Sequence, residues 1–234
     1  MTPKLKTLLL PGLLLAFLLP VKGLAQGGFG HVSFGPAIGS YSRLQRDLQQ
    51  SHLLGSDFFL ATQGVLIGGG GMAYYSGGLL LGGNGFACFY GAGSGTRGES
   101  SITTGAGFFN IGYALHNQSG FLLYPYAGFG GMGTTLELTN HVGTALSLGA
   151  NHQLQPGQTH KYSASGIALE GGIAIKKLLA NNSGSGFIVG LEFGTFGLPA
   201  MQAWQTEDDQ KATSLTSTHS QGFYVRLSLG GGQY

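Results

Sequence analysis

Two carboxylates and one guanidinium, Glu170, Glu192 and Arg226, each interrupt a stretch in which apolar residues recur at every second position. Ile167, Leu169, Ile173 and Ile175 alternate with Ala168, Glu170, Gly172, Ala174 and Lys176. Phe187, Val189, Leu191 and Phe193 alternate with Ile188, Gly190, Glu192 and Gly194, and Phe223, Val225, Leu227 and Leu229 with Tyr224, Arg226 and Ser228. A period of two is the strand period, so the three charges share the face that the leucines avoid. On a face lining a water-filled lumen such groups could gate a passage or pass protons. They could equally pair into a salt-bridged plug, and the plug is favoured because a narrow closed sheet leaves room only for side chains.

The other chemistry-bearing residues form no constellation. His141, His152 and His160 fall in one polar stretch, but their spacing matches no metal-ligand pattern and no cysteine or carboxylate cluster joins them. Ser217, His219 and Ser220 lie close in sequence without an identifiable orienting acid, which is not a triad. Glu207-Asp208-Asp209 fits a solvated loop tip better than a cation site. Gly68 to Gly71 with Ala73 spell a nominal G-x-G-x-x-A, expected by chance at this glycine content and lacking a strand-helix-strand context. No catalytic residue, metal or cofactor is assigned.

The elements that must position the three charges are eight alternating stretches, at 28–39, 58–73, 78–91, 101–116, 120–137, 162–178, 185–197 and 219–231. In two more of them parity is plain: Val32, Phe34 and Ile38 oppose His31, Ser33 and Gly35, while Phe109, Ile111, Tyr113 and Leu115 oppose Phe108, Asn110, Gly112 and Ala114. The stretches 58–91 and 120–137 are apolar and glycine-rich on both faces. The links 40–57, 92–100, 138–161 and 198–218 are long, and those between, 74–77, 117–119 and 179–184, are short. Long and short connections in strict alternation, with an even strand count, are the rhythm of an up-and-down antiparallel transmembrane barrel with periplasmic turns and extracellular loops.

Local chemistry supports the links. The short ones at Asn117-Gln118-Ser119-Gly120 and Asn181-Asn182-Ser183-Gly184 have turn composition, which accounts for the asparagines of two Asn-x-Ser sequons without a glycan. In the first long link Leu44 and Leu48 stand four apart in a polar run, the spacing of a short helix capped at Ser40 or Ser42. Pro36 and Pro125 fall inside strands of a sheet without edges, so each is expected at a bulge or a strand end.

The ends and the composition point the same way. Residues 1–25 carry Lys4 and Lys6, an apolar run from Leu8 to Leu19 and a small-x-small site at Gly23-Leu24-Ala25, the three parts of a cleaved signal peptide, leaving a single β-barrel domain at 26–234. Without Lys4, Lys6 and Lys22 the remaining 8 basic residues face 9 acidic ones, so no basic field for nucleic acid remains. The single cysteine, Cys88, excludes an intramolecular disulfide framework. Charged residues make up 9% of the chain, far below the roughly 25% of soluble domains. Most of the 45 glycines sit within the apolar stretches, where an inward-facing glycine would fill the tapering interior of a narrow barrel.

With the signal, the alternating links and a last strand running to the aromatic Tyr234, residues 27–234 resemble the small eight-stranded outer-membrane barrels of Gram-negative bacteria. That class includes the OmpA membrane domain and the OmpX and OmpW types. The resemblance implies contact with outer-membrane lipid and handling by the barrel-assembly machinery, which reads a terminal aromatic in register with the outward face. Tyr234 has the opposite parity to Phe223, Val225, Leu227 and Leu229, so Gly230-Gly231-Gly232 would have to host a bulge for it to face lipid. The expected role is structural, adhesive or ligand-contacting, with loops 40–57, 138–161 and 198–218 meeting an extracellular partner. Two alternatives are an outer-membrane lipid-modifying enzyme built on Ser217, His219 and Ser220, and a soluble secreted ligand-binding barrel with its apolar residues inside.

Overall fold

A computed structural model describes residues 25–50, 57–144, 146–147, 153–180, 185–201, 203–206, 215 and 220–234. Eight long strands, β1 Ala25–Ser40, β2 Gln63–Tyr75, β3 Leu79–Tyr90, β4 Gly98–Tyr113, β5 Phe121–Asn140, β6 Thr159–Ala180, β7 Gly186–Met201 and β8 Ser220–Gln233, pair antiparallel in chain order. β8 then pairs β1, from Gly28 opposite Gln233 to Ser40 opposite Gln221, and the sheet closes. Closure removes the two edges that would otherwise expose unpaired backbone groups, a requirement where no water can satisfy them.

Alternation divides the side chains as the sequence parity demands. Outside stand Val32, Phe34, Ile67, Ile111, Leu169 and Phe193, all exposed, and Ile167 is 72% exposed. Inside stand Ser33, Leu66, Asn110, Ala168, Glu170 and Glu192, all buried. Exposed apolar residues occur on all eight strands and form the lipid-facing band of a transmembrane barrel. A soluble barrel would turn that band inward, and the secreted soluble alternative is set aside on this ground. Charges on the outer face lie towards the strand ends: Lys161 pairs with Glu137 at 3.0 Å, and Lys177 donates to the Ser119 carbonyl at 2.8 Å.

Strand limits differ from the sequence pattern chiefly at the loop end. The β5–β6 ladder continues to Thr139 opposite Thr159, so most of what the pattern left at each end of the 138–161 loop is paired wall, and His160 stands in a strand opposite Leu138. β2 starts at Gln63, while Phe58 and Leu60 are tucked into the barrel mouth. The helix α1, Ser42–Gln50, lies in the first long link with Leu44 and Leu48 fully buried. Its first turn is closed by Gln45 N–H donating to Tyr41 C=O at 2.9 Å, so Tyr41 occupies the cap position that the sequence gave to a serine. Gly93–Gly95 folds back on the start of β4 as a small hairpin.

Pro125 sits where the β4 ladder slips. Gly112 pairs Tyr126, whereas His116 pairs Leu123, a one-residue register change. Pro36 is different: the β1–β8 ladder skips Gly35 and Pro36 but resumes in the same register at Ala37, so the missing N–H costs a gap rather than a bulge. The turn before β5 has Ser119 and Gly120 both at positive φ, 51° and 70°, the backbone of a tight two-residue hairpin.

Glycine serves both faces. Inside, a Cβ at Gly190 would lie 2.4 Å from Lys176 Cδ, one at Gly194 2.4 Å from the Tyr224 ring, and one at Gly128 2.2 Å from Asn110 Oδ1. Each of these glycines is the direct cross-strand partner of the large side chain it makes room for. Outside, Gly69, Gly85, Gly107 and Gly131 are in register across β2 to β5, and a Cβ at Gly107 would meet nothing within 4 Å. The expectation that the excess glycine belongs to the inward face holds for only part of it.

Candidate functional site in the barrel lumen

The barrel interior is filled in three layers. Nearest the short turns, Phe29, Met72, Leu80, Leu122, Leu178 and Ile188 form an apolar cluster. Towards the loops a larger cluster joins Leu66, Phe86, Phe108 and Phe196 of the wall to Leu44 and Leu48 of α1 and to Phe58 and Trp204 of the loops. Between them lies the polar layer that contains Glu170, Glu192 and Arg226, at 5%, 2% and 1% exposure.

β6, β7 and β8 bring the three together because Glu192 and Arg226 are direct cross-strand partners and Glu170 lies two strands from Arg226 on the same inward face. Arg226 Nε donates to Glu192 Oε2 at 2.5 Å, and its Nη2 lies 3.8 Å from Glu170 Oε1. Lys176 Nζ pairs with Glu192 Oε1 and donates to Ser228 Oγ at 2.6 Å. His31 Nε2 stands 3.2 Å from the same Glu192 oxygen. Two buried cations thus face two buried carboxylates, the condition under which charge survives desolvation.

Glu170 is held mainly by neutral donors. Tyr224 O–H donates to its Oε1 at 2.5 Å, Asn84 Nδ2 reaches both carboxylate oxygens at 3.3 and 3.0 Å, and Asn110 Nδ2 reaches Oε2 at 3.2 Å. With its single proton committed to Glu170, Tyr224 accepts from Tyr126 O–H at 2.6 Å. The Arg226 guanidinium lies 4.7 Å from the Tyr224 ring centroid, and that ring stacks on Phe196 at 6.3 Å. Phe86 meets both rings and Phe108, which closes the loop-side face of the layer with aromatic carbon.

Sequence reasoning missed six members of this layer: Lys176, His31, Asn84, Asn110, Tyr126 and Tyr224. Lys176 and His31 carried a legible sign, because each shares parity with the inward face. Asn84 and Tyr126 lie in stretches where both faces are glycine-rich or apolar, so parity pointed nowhere. The signal that would have found them is glycine itself: Asn84 lies opposite Gly70 and Tyr126 opposite Gly172.

The remaining candidates are dispersed. His141 Nε2 lies 3.7 Å from Glu99 Oε1 at the exposed rim, His160 is in the wall of β6, and His152 lies outside the described residues. Among the described residues no group of three or more His, Cys, Asp or Glu is placed to hold a metal. Ser220 is buried at the start of β8, while Ser217, His219 and the Glu207-Asp208-Asp209 cluster lie outside the described residues. Tyr234 turns inward. The β1–β8 ladder runs unbroken through Gly230, Gly231 and Gly232, and the Tyr234 ring meets Phe29 edge-on at 5.8 Å, with its O–H donating to the Gly120 carbonyl at 3.2 Å.

Apolar outside, closed by its own ladder and, among the described residues, charged only within and at its rims, the chain has the architecture of an outer-membrane β-barrel. No family model and no curated protein matches it. Among solved structures it is similar to Ail, the attachment invasion locus protein of Yersinia pestis, with TM-score 0.48, 10% identity and coverage of 88% of this chain and 98% of that one. It is also similar to the outer-membrane protein OprG of Pseudomonas aeruginosa, with TM-score 0.38, 11% identity and coverage of 89% and 95%. A third is the outer-membrane protease OmpT of Escherichia coli, with TM-score 0.42, 10% identity and coverage of 90% and 97%.

Proposed function

We propose that this protein is a non-conducting barrel that acts at the cell surface, in a structural or adhesive role, through its extracellular loops. The observation that carries the reading is the filled lumen: two apolar clusters enclose a paired charged layer, with α1 and Trp204 packed into the mouth. A conducting barrel needs a continuous water path, and a buried ion pair flanked by packed aromatic and aliphatic side chains is a plug. Glu170, Glu192, Arg226 and Lys176 act in this reading as internal struts. Contact with the environment then falls to 41–62, 141–158 and 202–219, where the exposed Arg43 and Arg46 of α1 stand outward from the leucines that anchor it.

In the same reading, residues 1–25 direct export and are removed before Gln26. The assembly machinery engages the last strand through its outward Phe223, Val225, Leu227 and Leu229, because Tyr234 packs inside.

The test has two arms. Purified barrel in planar bilayers is expected to leave conductance at the baseline. Replacing 142–157 and 203–218 by short turns is expected to abolish binding of the bacterium to host-cell or abiotic surfaces, while the shift in gel mobility on boiling remains. Stable channel events, or surface binding undiminished by both loop replacements, would overturn the proposal.

A further inference from the structure

The polar layer surrounds a small void lined by His31, Asn84, Asn110, Glu192 and Arg226, with Tyr124 and Tyr126 beside them. The centre of a water molecule can occupy about 10 Å³ of it, room for a single water. Buried side-chain atoms without a protein hydrogen-bond partner collect on its lining residues: Arg226 Nη1, Asn84 Oδ1, Asn110 Oδ1, His31 Nδ1 and His31 Nε2, the last beside Glu192 Oε1 at 3.2 Å but out of line for a hydrogen bond. Three of these side chains are more than nine-tenths buried, Arg226, Asn110 and His31. The amide orientations are fixed by chemistry, since Glu170 accepts from both Nδ2 groups and an ionised carboxylate cannot donate, so both Oδ1 atoms are left over.

We propose that this void is a specific binding site for one ordered water molecule. The unmet groups are of both kinds: a guanidinium N–H donates, two amide oxygens accept, and the imidazole supplies one of each when neutral. A cation would meet the Arg226 guanidinium, and an anion would meet Glu192 and two amide oxygens. A neutral molecule that donates twice and accepts twice, and is no larger than the void, can meet four of these five groups, which neither kind of ion can do. Bound there, the water adds a hydrogen-bonded link between the Arg226–Glu192 pair and the Asn84–Asn110–Glu170 group, which otherwise meet through the 3.8 Å ion pair of Arg226 Nη2 with Glu170 and the Tyr224 ring. The site stands independently of what the loops contact.

The experiment is a crystal structure of the mature barrel in a lipidic mesophase, at a resolution that shows bound water, with parallel crystals grown in sodium bromide. One density peak is expected within about 3.2 Å of Arg226 Nη1 and of Asn84 or Asn110 Oδ1, with no anomalous bromide signal. The Asn110→Leu variant, which removes an acceptor and fills the void, is expected to lose that peak. An anomalous peak would make the site a halide site and overturn the proposal, as would a direct protein acceptor on Arg226 Nη1 or no peak at all. The bromide comparison uses the unaltered protein, so the proposal remains testable if Asn110→Leu does not fold.

Discussion

Glu192 is the hinge of the buried charge layer, and removing its charge should cost more than removing that of Arg226. In Glu192→Gln, Arg226 and Lys176 lose their shared carboxylate, leaving two buried cations against Glu170 alone. In Arg226→Gln, Glu192 keeps Lys176, and Glu170 keeps Tyr224, Asn84 and Asn110. Leaving a buried charge unpaired costs ~3–5 kcal/mol, so Glu192→Gln belongs at the upper end of that range and Arg226→Gln at about 3 kcal/mol. The double change removes the stranded guanidinium and should fall short of the sum by ~1–3 kcal/mol, the coupling expected of groups in one network. Lys176 limits the rescue, because it retains Ser228 and the Phe29 ring but no carboxylate, and adding Lys176→Met to the double change should recover further stability. Urea unfolding of barrels refolded into lipid vesicles measures all four variants. Strict additivity with each single change within about ±0.5 kcal/mol, the behaviour of exposed sites, would refute the buried network.

Three further outcomes are expected. Leu169→Arg or Leu191→Arg should cost ~2–4 kcal/mol in the same unfolding assay where the side chain meets mid-membrane lipid, and Ala168→Ser about 1–3 kcal/mol because Ala168 is fully buried in the loop-side apolar cluster, where a hydroxyl is desolvated. Gly194→Ala should destabilise by about 1–3 kcal/mol, because its Cβ would overlap the Tyr224 ring, whereas Gly107→Ala, facing open space, should be neutral or stabilise by ~0.4–1 kcal/mol; equal effects would remove the packing account of the inward glycines. At the rim, the Thr96 hydroxyl and backbone N–H donate to Asp57 and hold its carboxyl below the ordinary carboxylate range. A depressed value means that the contact is present at neutral pH and is lost only as pH falls through that lowered value, so an NMR titration should show Asp57 midpoint rising in Thr96→Val.

Period-two alternation specified the inward and outward faces of β1, β4, β6, β7 and β8, because it is a local property in which each residue's face follows from its neighbours in sequence; for β2, β3 and β5, apolar or glycine-rich on both faces, it gave none, and the strand number and membrane setting came from the alternating links as well. Turn chemistry at Ser119-Gly120 and the helical spacing of Leu44 and Leu48 were legible for the same reason. Strand length at the loop end was not: β5 and β6 run to Asn140 and from Thr159 because partners across the ladder hold polar residues such as Thr139 and Thr159 in strand form.

Only closure decided which inward groups meet. Which strands neighbour one another followed from the alternating links, but the register that sets Lys176 and Arg226 on one carboxylate, and brings Asn84 of β3 to Glu170 of β6, is fixed by the whole ring of ladders at once. The inward turn of Tyr234 has the same origin: with the ladder unbroken through three glycines its parity is inward, and Phe29 offers it a face. Parity, a sequence property, chose the side of the wall for each residue; contact across the lumen depends on stagger around the barrel, which no local pattern contains.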